Sequence, residues 1–358
     1  MSFNDLIKRS AAGNQAVSIN PTSGIDIKIT SHGSDWLWTC FSIFAFASVY
    51  YAFALLFKQK KNKITNLTME TNFVYLIRLW ISAVMSYSYF TMASNLGYTG
   101  IQTEFHHVTT NDESFGGIRQ IFYSKFISWF LCYPSLILLL FTFNFDYLLL
   151  NVKIIKFLFN YLVQWVTIEF FVIGLLIGSL IHSTYKWGYW TFACFMGLIY
   201  LFNFNCQLFH YKKNQKADYE SGIASTSADG KKNKWLLCFI NLFHQLIFLL
   251  YFISWSLGDG ANVIQPDSDT VFFGILDLCN FCFIPLALSF LPTPELFTNI
   301  HCFENDALSI GSGAHAEKQL SIDEVRHSGD THVDDIPVVN DNVAPAETTT
   351  EPVTPVVN

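Results

Sequence analysis

One aspartate, Asp277, sits in the middle of a membrane-length apolar stretch, Val271-Phe-Phe-Gly-Ile-Leu-Asp277-Leu-Cys-Asn-Phe281-Cys-Phe-Ile-Pro285. Two more ionisable residues lie in comparable surroundings, Lys125 and Glu169. Charged groups at bilayer depth are costly, and they mark ion paths, proton relays or ligand counter-ions. Lys125, Ser128, Cys132 and Ser135 recur at the spacing of one helical face. Asp269, Phe273, Asp277 and Phe281 recur every four residues and share another. With both stripes turned inward, Lys125 and Asp277 are expected to form a buried pair, since a lone charge there would neutralise itself instead. Glu169 is expected as a protonated carboxyl bonded to a neighbouring helix. Trp129, Trp190, Tyr251 and Trp255 could line a slot between helices, with Ser128, Cys132, Glu169 and Phe281 as further lining. The plainer alternative is that these groups only hold helices together, at about 0.6 kcal/mol per polar contact. Beyond Lys125, Glu169 and Asp277 there is almost no titratable chain from face to face, which favours that structural role. Arg78 is expected to snorkel to the cytosolic end.

These residues must be carried by membrane helices. Of 358 residues, 51 % are hydrophobic, 17 % aromatic and 14 % charged, where a soluble domain carries about a quarter charged. Apolar blocks long enough to span a bilayer occur near 35–57, 73–95, 121–143, 158–181, 187–209, 235–257 and 270–291. The expected organisation is an N-terminal segment 1–33, a seven-helix membrane domain 34–291 and a tail 292–358. From residue 296 on, eleven acids face only Lys318 and Arg326, and no aromatic follows Phe303. Such a segment cannot bury enough apolar surface to fold, so disorder is expected there.

Lysines set the orientation. Lys58, Lys60, Lys61 and Lys63 fall in the first loop, Lys153 and Lys156 in the third, and Lys212, Lys213, Lys216, Lys231, Lys232 and Lys234 in the fifth. The positive-inside rule then places the N-terminus outside and the C-terminus in the cytosol. The polar first 33 residues predict no cleavable signal peptide. The sequon at Asn66 falls in a cytosolic loop and is expected to stay unglycosylated. Seven of the eight cysteines lie in predicted helices, as small buried hydrophobes; Cys302, just past the last helix, is a palmitoylation candidate. His106 and His107 beside Glu104 offer two metal ligands or an acid sensor but lack a third ligand, so a plain surface pair is expected and no metal. No nucleophile set, metal set or phosphate loop appears, so the chain is not expected to be an enzyme, and no nucleic-acid partner is expected.

The residues then resemble the microbial rhodopsin superfamily across all seven helices. In the third, Lys125-Phe-Ile-Ser128-Trp129 followed by Pro134 matches the pumps' Arg-Tyr-x-Asp-Trp and its later proline. The resemblance implies that Ser128 replaces the counter-ion aspartate and Leu139 the cytoplasmic proton donor. It further implies that Tyr251 and Trp255 flank a ring site, that Asp259 and Asp269 are outer-mouth acids, and that Glu169 stands near the ring. The retinal-binding lysine position, four residues after Asp277, holds Phe281, which cannot form a Schiff base. No covalent retinal is therefore expected. Pump chemistry needs a titratable group at each relay step, and here it is interrupted at attachment, acceptor and donor.

Longer stretches carry a narrower resemblance, among them Gly33-Ser-Asp-Trp-Leu-Trp38, Tyr89-Phe-Thr-Met-Ala-Ser-Asn-Leu-Gly97, Gly117 to Ser124, His182 to Tyr189 and Gly258 to Asp267. They are similar to the fungal opsin-related proteins, the group that includes the yeast 30 kDa heat-shock membrane protein and its Mrh/Yro relatives. That resemblance implies a stress-induced plasma-membrane protein acting as a negative regulator of the proton-pumping ATPase through protein contacts. Its fold class implies homo-oligomers. The competing expectation is a passive ion or small-molecule conduit with Lys125 and Asp277 in the pathway. Ser321-Ile-Asp-Glu324 is an acid-directed phosphorylation candidate. Since loops normally tolerate variation, the matches at outer helix ends predict an ordered extracellular cap.

Overall fold

The computed structural model describes residues 13–61, 67–108, 116–148, 154–220 and 228–292. Asn66, Cys302, Ser321 and the acidic tail lie outside the described residues. In hydrocarbon a backbone must close its hydrogen bonds within the segment, which selects helices. Seven of the described helices are long and apolar enough to cross a membrane. They are α1 (Ser31–Lys61), α2 (Leu67–Ala93), α3 (Tyr123–Leu148), α4 (Ile154–Leu180), α5 (Lys186–Glu220), α6 (Ala228–Trp255) and a seventh span, Pro266–Phe290, that opens with α7 (Pro266–Asp277). A π turn, Ser256–Gly260, extends α6. The last helix continues through a second π turn, Leu278–Phe283, into Ile284–Ala287 and a closing turn at Leu288–Phe290.

Helices α1 to α5 each pack on their sequence neighbours, α5 bonds α6 through Tyr200 with His244 and Asn205 with Gln245, and α7 returns to α1 and α6. The third helix also meets α5 and α6. Of its membrane window 67 % is buried, against 17 % for α1, so α3 is the inner post of a rhodopsin-type bundle. Outward rings such as Phe46, Tyr87, Phe202 and Trp235 are exposed, as expected of helices facing lipid rather than water.

One end of the bundle carries a cap. Strands β1 (Tyr98–Gln102) and β2 (Ile118–Phe122) pair antiparallel, with Tyr98 opposite Phe122 and Gln102 opposite Ile118. Ile27 adds a parallel bridge to Arg119, and Ile25, Ile27 and Ile29 are buried beside it. Their period-two alternation is a strand signal inside a segment that its composition made look merely polar. The expected start of the third span at 121 is corrected here, because Ile121 and Phe122 belong to β2 and the helix begins at Tyr123. Gly97 turns the chain from α2 into β1 at φ +68°, a left-handed conformation that favours glycine.

At the other end, Arg78 does not snorkel. It is buried, with its guanidinium 5.3 Å from the Tyr75 ring and 5.7 Å from the Phe143 ring. The seven described cysteines are free thiols.

Candidate functional site

The bundle interior is built around Asp277, which has no exposed surface. Three neutral donors from three helices converge on its carboxylate. Tyr89 Oη of α2 donates to Oδ2 at 2.6 Å, while Trp129 Nε1 of α3 and Tyr251 Oη of α6 donate to Oδ1 at 2.8 and 2.6 Å. The Trp129 and Tyr251 rings meet edge-on at 5.0 Å, and Phe44 of α1 stacks on Tyr89. One carboxylate thus fixes α2, α3 and α6 against α7.

The expected pair of Lys125 with Asp277 is not formed. Lys125 Nζ lies 2.7 Å from Asp259 Oδ2 and 3.9 Å from Asp269 Oδ2. The reason is depth. At 1.5 Å per residue, Asp269 and Asp277 share a face but stand about 12 Å apart along the axis. On α3, the residue level with Asp277 is Trp129, one turn beyond Lys125. Periodicity identified the faces and was silent about height.

The two acids expected at the outer mouth are therefore buried partners of Lys125. Asp269 also meets Arg119 Nη2 at 3.4 Å. Arg119, 1 % exposed, donates through Nη1 to Asn262 Oδ1 at 2.7 Å and to the Ile264 carbonyl at 2.8 Å. Asn262 adopts φ 52°, a conformation asparagine tolerates better than most residues, and it bonds the Phe105 carbonyl. Ser179 donates to Asp259 at 3.2 Å and accepts from Trp255 Nε1 at 2.7 Å. Beside this lattice lies a cavity of about 10 Å³ lined by Arg119, Ser179, Lys186, Asp259 and Asn262, room for one water.

Below Asp277 the polar column continues through residues that the sequence reading passed over. Asn280 Oδ1 lies 2.8 Å from His244 Nδ1, and His244 Nε2 lies 2.7 Å from Tyr200 Oη. Asn144 and Asn241 then bond each other reciprocally at 3.2 and 2.7 Å. Counting titratable types alone finds almost no titratable chain here; it passes over the asparagines and overlooks His244. A histidine and three asparagines inside apolar runs were the available signal.

The remaining candidates divide. Ser128 is buried but bonds its own helix, at the Lys125 carbonyl. Cys132 Sγ approaches the Ile81 carbonyl at 3.7 Å. Glu169 does not bond a neighbouring helix; Oε1 accepts from Trp165 Nε1 one turn earlier at 3.1 Å, and Oε2 is buried without a partner. Trp190 is half-buried and donates to the Phe252 carbonyl, away from Asp277's donor set. Glu104 turns from His106 and His107 toward Thr184, at 2.8 Å, and Lys186, at 3.8 Å. Among the described residues no cluster of metal-ligand side chains forms. The Phe281 side chain is buried, its ring 5.0 Å from that of Tyr133.

No family model matches the chain. Over 295 residues, 80 % of each sequence, it is 35 % identical to the 30 kDa heat shock protein of Saccharomyces cerevisiae. The chain belongs to the fungal opsin-related family. Another relative, the opsin-like protein carO of Fusarium fujikuroi, is 32 % identical over 75 % of this chain and 77 % of its own. Among solved structures, the light-driven proton pump rhodopsin CsR of Coccomyxa subellipsoidea superposes with TM-score 0.57 at 19 % identity, covering 73 % of this chain and 97 % of that one. At that identity the likeness establishes the fold: this opsin-related protein is a multi-pass, seven-helix membrane protein of rhodopsin type. Covalent retinal attachment uses a lysine amine. The last helix, Pro266 to Phe290, contains no lysine, and Lys125 is held by Asp259.

Proposed function

We propose that this opsin-related protein is a non-photoactive plasma-membrane protein of the stress response that restrains the proton-pumping ATPase through lateral protein contacts. The N-terminus would lie outside and the C-terminus in the cytosol, as the lysine-rich loops favour. The observation that carries this reading is Phe281, packed on Tyr133 where pigment formation would need an amine. The heat-shock name of its Saccharomyces relative supports the stress role, and the ATPase is the partner that the family resemblance implies. Homo-oligomers follow from the same fold analogy.

Glucose-triggered proton export from heat-stressed fungal cells tests it, in strains with and without the gene and with a chain truncated after Phe303. Higher export in the deletion strain is expected, and the truncation separates tail from bundle. Unchanged export at equal ATPase levels overturns the reading. Retinal added to the purified protein is expected to give no visible absorbance band.

A second reading, a passive conduit, draws support from the polar column that runs from Lys125 past Asp277 to Asn144. It predicts current across a bilayer containing this protein alone, lost in Asp277→Asn.

A further inference from the structure

The N-terminal segment builds a second cavity at the cap end, away from the Asp277 column. Asn14 Nδ2 donates to Ser34 Oγ at 2.8 Å, and Ser34 Oγ donates to the Ala93 carbonyl at 2.7 Å. Asn20 Nδ2 donates to the Ser94 carbonyl at 2.8 Å, while Asn95 Nδ2 donates back to the Asn20 carbonyl at 2.6 Å. These bonds suspend residues 14–20 over the adjoining ends of α1 and α2. The space beside them is a shallow cleft, more open than enclosed, of about 540 Å³, lined by Asn14, Ile19, Asn20, Asp35, Trp38 and Ser94. That volume suits a small-molecule ligand.

Its lining is amphipathic and carries one sign of charge. Asp35 is exposed, and among the described residues it has no basic partner and neither lysine nor arginine lines the space. The Trp38 ring lies one turn further into the membrane and meets Phe41 and Phe90 edge-on at 5.4 and 5.6 Å. Phe90 is itself exposed on the outward surface. A path therefore leads from a carboxylate, past an indole, onto an aromatic surface that faces lipid.

We propose that this cleft binds a single-chain amphiphile with a protonated amine head and no phosphate. The ammonium sits between the Asp35 carboxylate and the Trp38 face, which attract it by charge and by the ring quadrupole. Each asparagine amide carries two N–H donors, so Asn14 and Asn20 retain one each for head-group hydroxyls. The hydrocarbon chain follows Trp38 to Phe90. A phosphate head would face Asp35 with no cation among the described residues to offset it, which disfavours ordinary phospholipids.

Dodecylamine titrated into the full chain in phosphatidylcholine nanodiscs tests this, read as a thermal shift, with dodecanol and dodecyl phosphate as chain-matched controls. Dodecylamine alone is expected to raise Tm. Asp35→Asn is expected to weaken that response by about tenfold, the effect of losing one charge-assisted contact, and Trp38→Leu to weaken it as well. An equal response to dodecanol, or an unaltered response in Asp35→Asn, overturns the proposal. So does a response that appears only after residues 1–12 are removed, since Lys8 and Arg9 would then be the cleft's own cations.

Discussion

Two buried carboxylate sites in this bundle solve the same problem differently. At the cap end, Asp259 and Asp269 are held by Lys125 and Arg119, charge against charge. At the centre, Asp277 is held by two tyrosine hydroxyls and an indole, with no cation in contact among the described residues. The first arrangement is strong and fragile, because removing one partner strands a buried charge. The second spreads the load over three hydrogen bonds from neutral donors to a carboxylate, each worth about 1.5–3 kcal/mol. The lattice therefore fixes the cap to α3, α6 and α7, whereas Asp277 sets the register of the helices.

The contrast is most readily broken at Lys125. Lys125→Ala should destabilise by about 3–5 kcal/mol, read by thermal unfolding in nanodiscs, and adding Asp259→Asn should recover part of the loss. A loss below that of Asp277→Asn would show that the cap lattice is not the more fragile site. Next, Asp277→Ala should lose about 3 kcal/mol, because three orphaned donors cost at least about 1 kcal/mol each. Asp277→Asn, which keeps one acceptor oxygen, should lose less. Equal losses would mean that charge, rather than acceptor geometry, matters at the centre. Arg119→Lys removes the fork to Asn262 and Ile264 and should lower stability by about 1–2 kcal/mol. Protease sensitivity should rise first near residue 105, where Asn262 holds the Phe105 carbonyl. The smallest effect is expected for Tyr200→Phe, about 1 kcal/mol, as His244 loses one partner. A larger loss there would make the lower column an essential brace.

Much of this was legible in the sequence, and the reasons are physical. Apolar length gave the seven spans, and four-residue spacing gave the inward face Asp269, Phe273, Asp277 and Phe281, all of them buried. Which groups meet was less legible, since depth depends on where each helix starts. A hairpin that delays α3 to Tyr123 puts Lys125 level with Asp269. The hairpin itself was hidden because Tyr98–Gln102 and Ile118–Phe122 are short strands around an intervening loop. Asp277's partner Tyr89 was inconspicuous in a chain with 16 tyrosines; only the fold shows which hydroxyl points inward.

The hub at Asp277 also bears on how the chain is made. Its acceptor oxygens lie on the last helix, whereas Tyr89, Trp129 and Tyr251 are synthesised earlier. Chains fold as they emerge, N-terminal part first. Until α7 leaves the ribosome, α2, α3 and α6 each carry a polar hydrogen without its eventual acceptor. Arg119 and Thr30 wait likewise, for Asp269 and Asp267. A nascent chain ending before Pro266 would therefore carry several unmet donors, and arrival of α7 would satisfy them together.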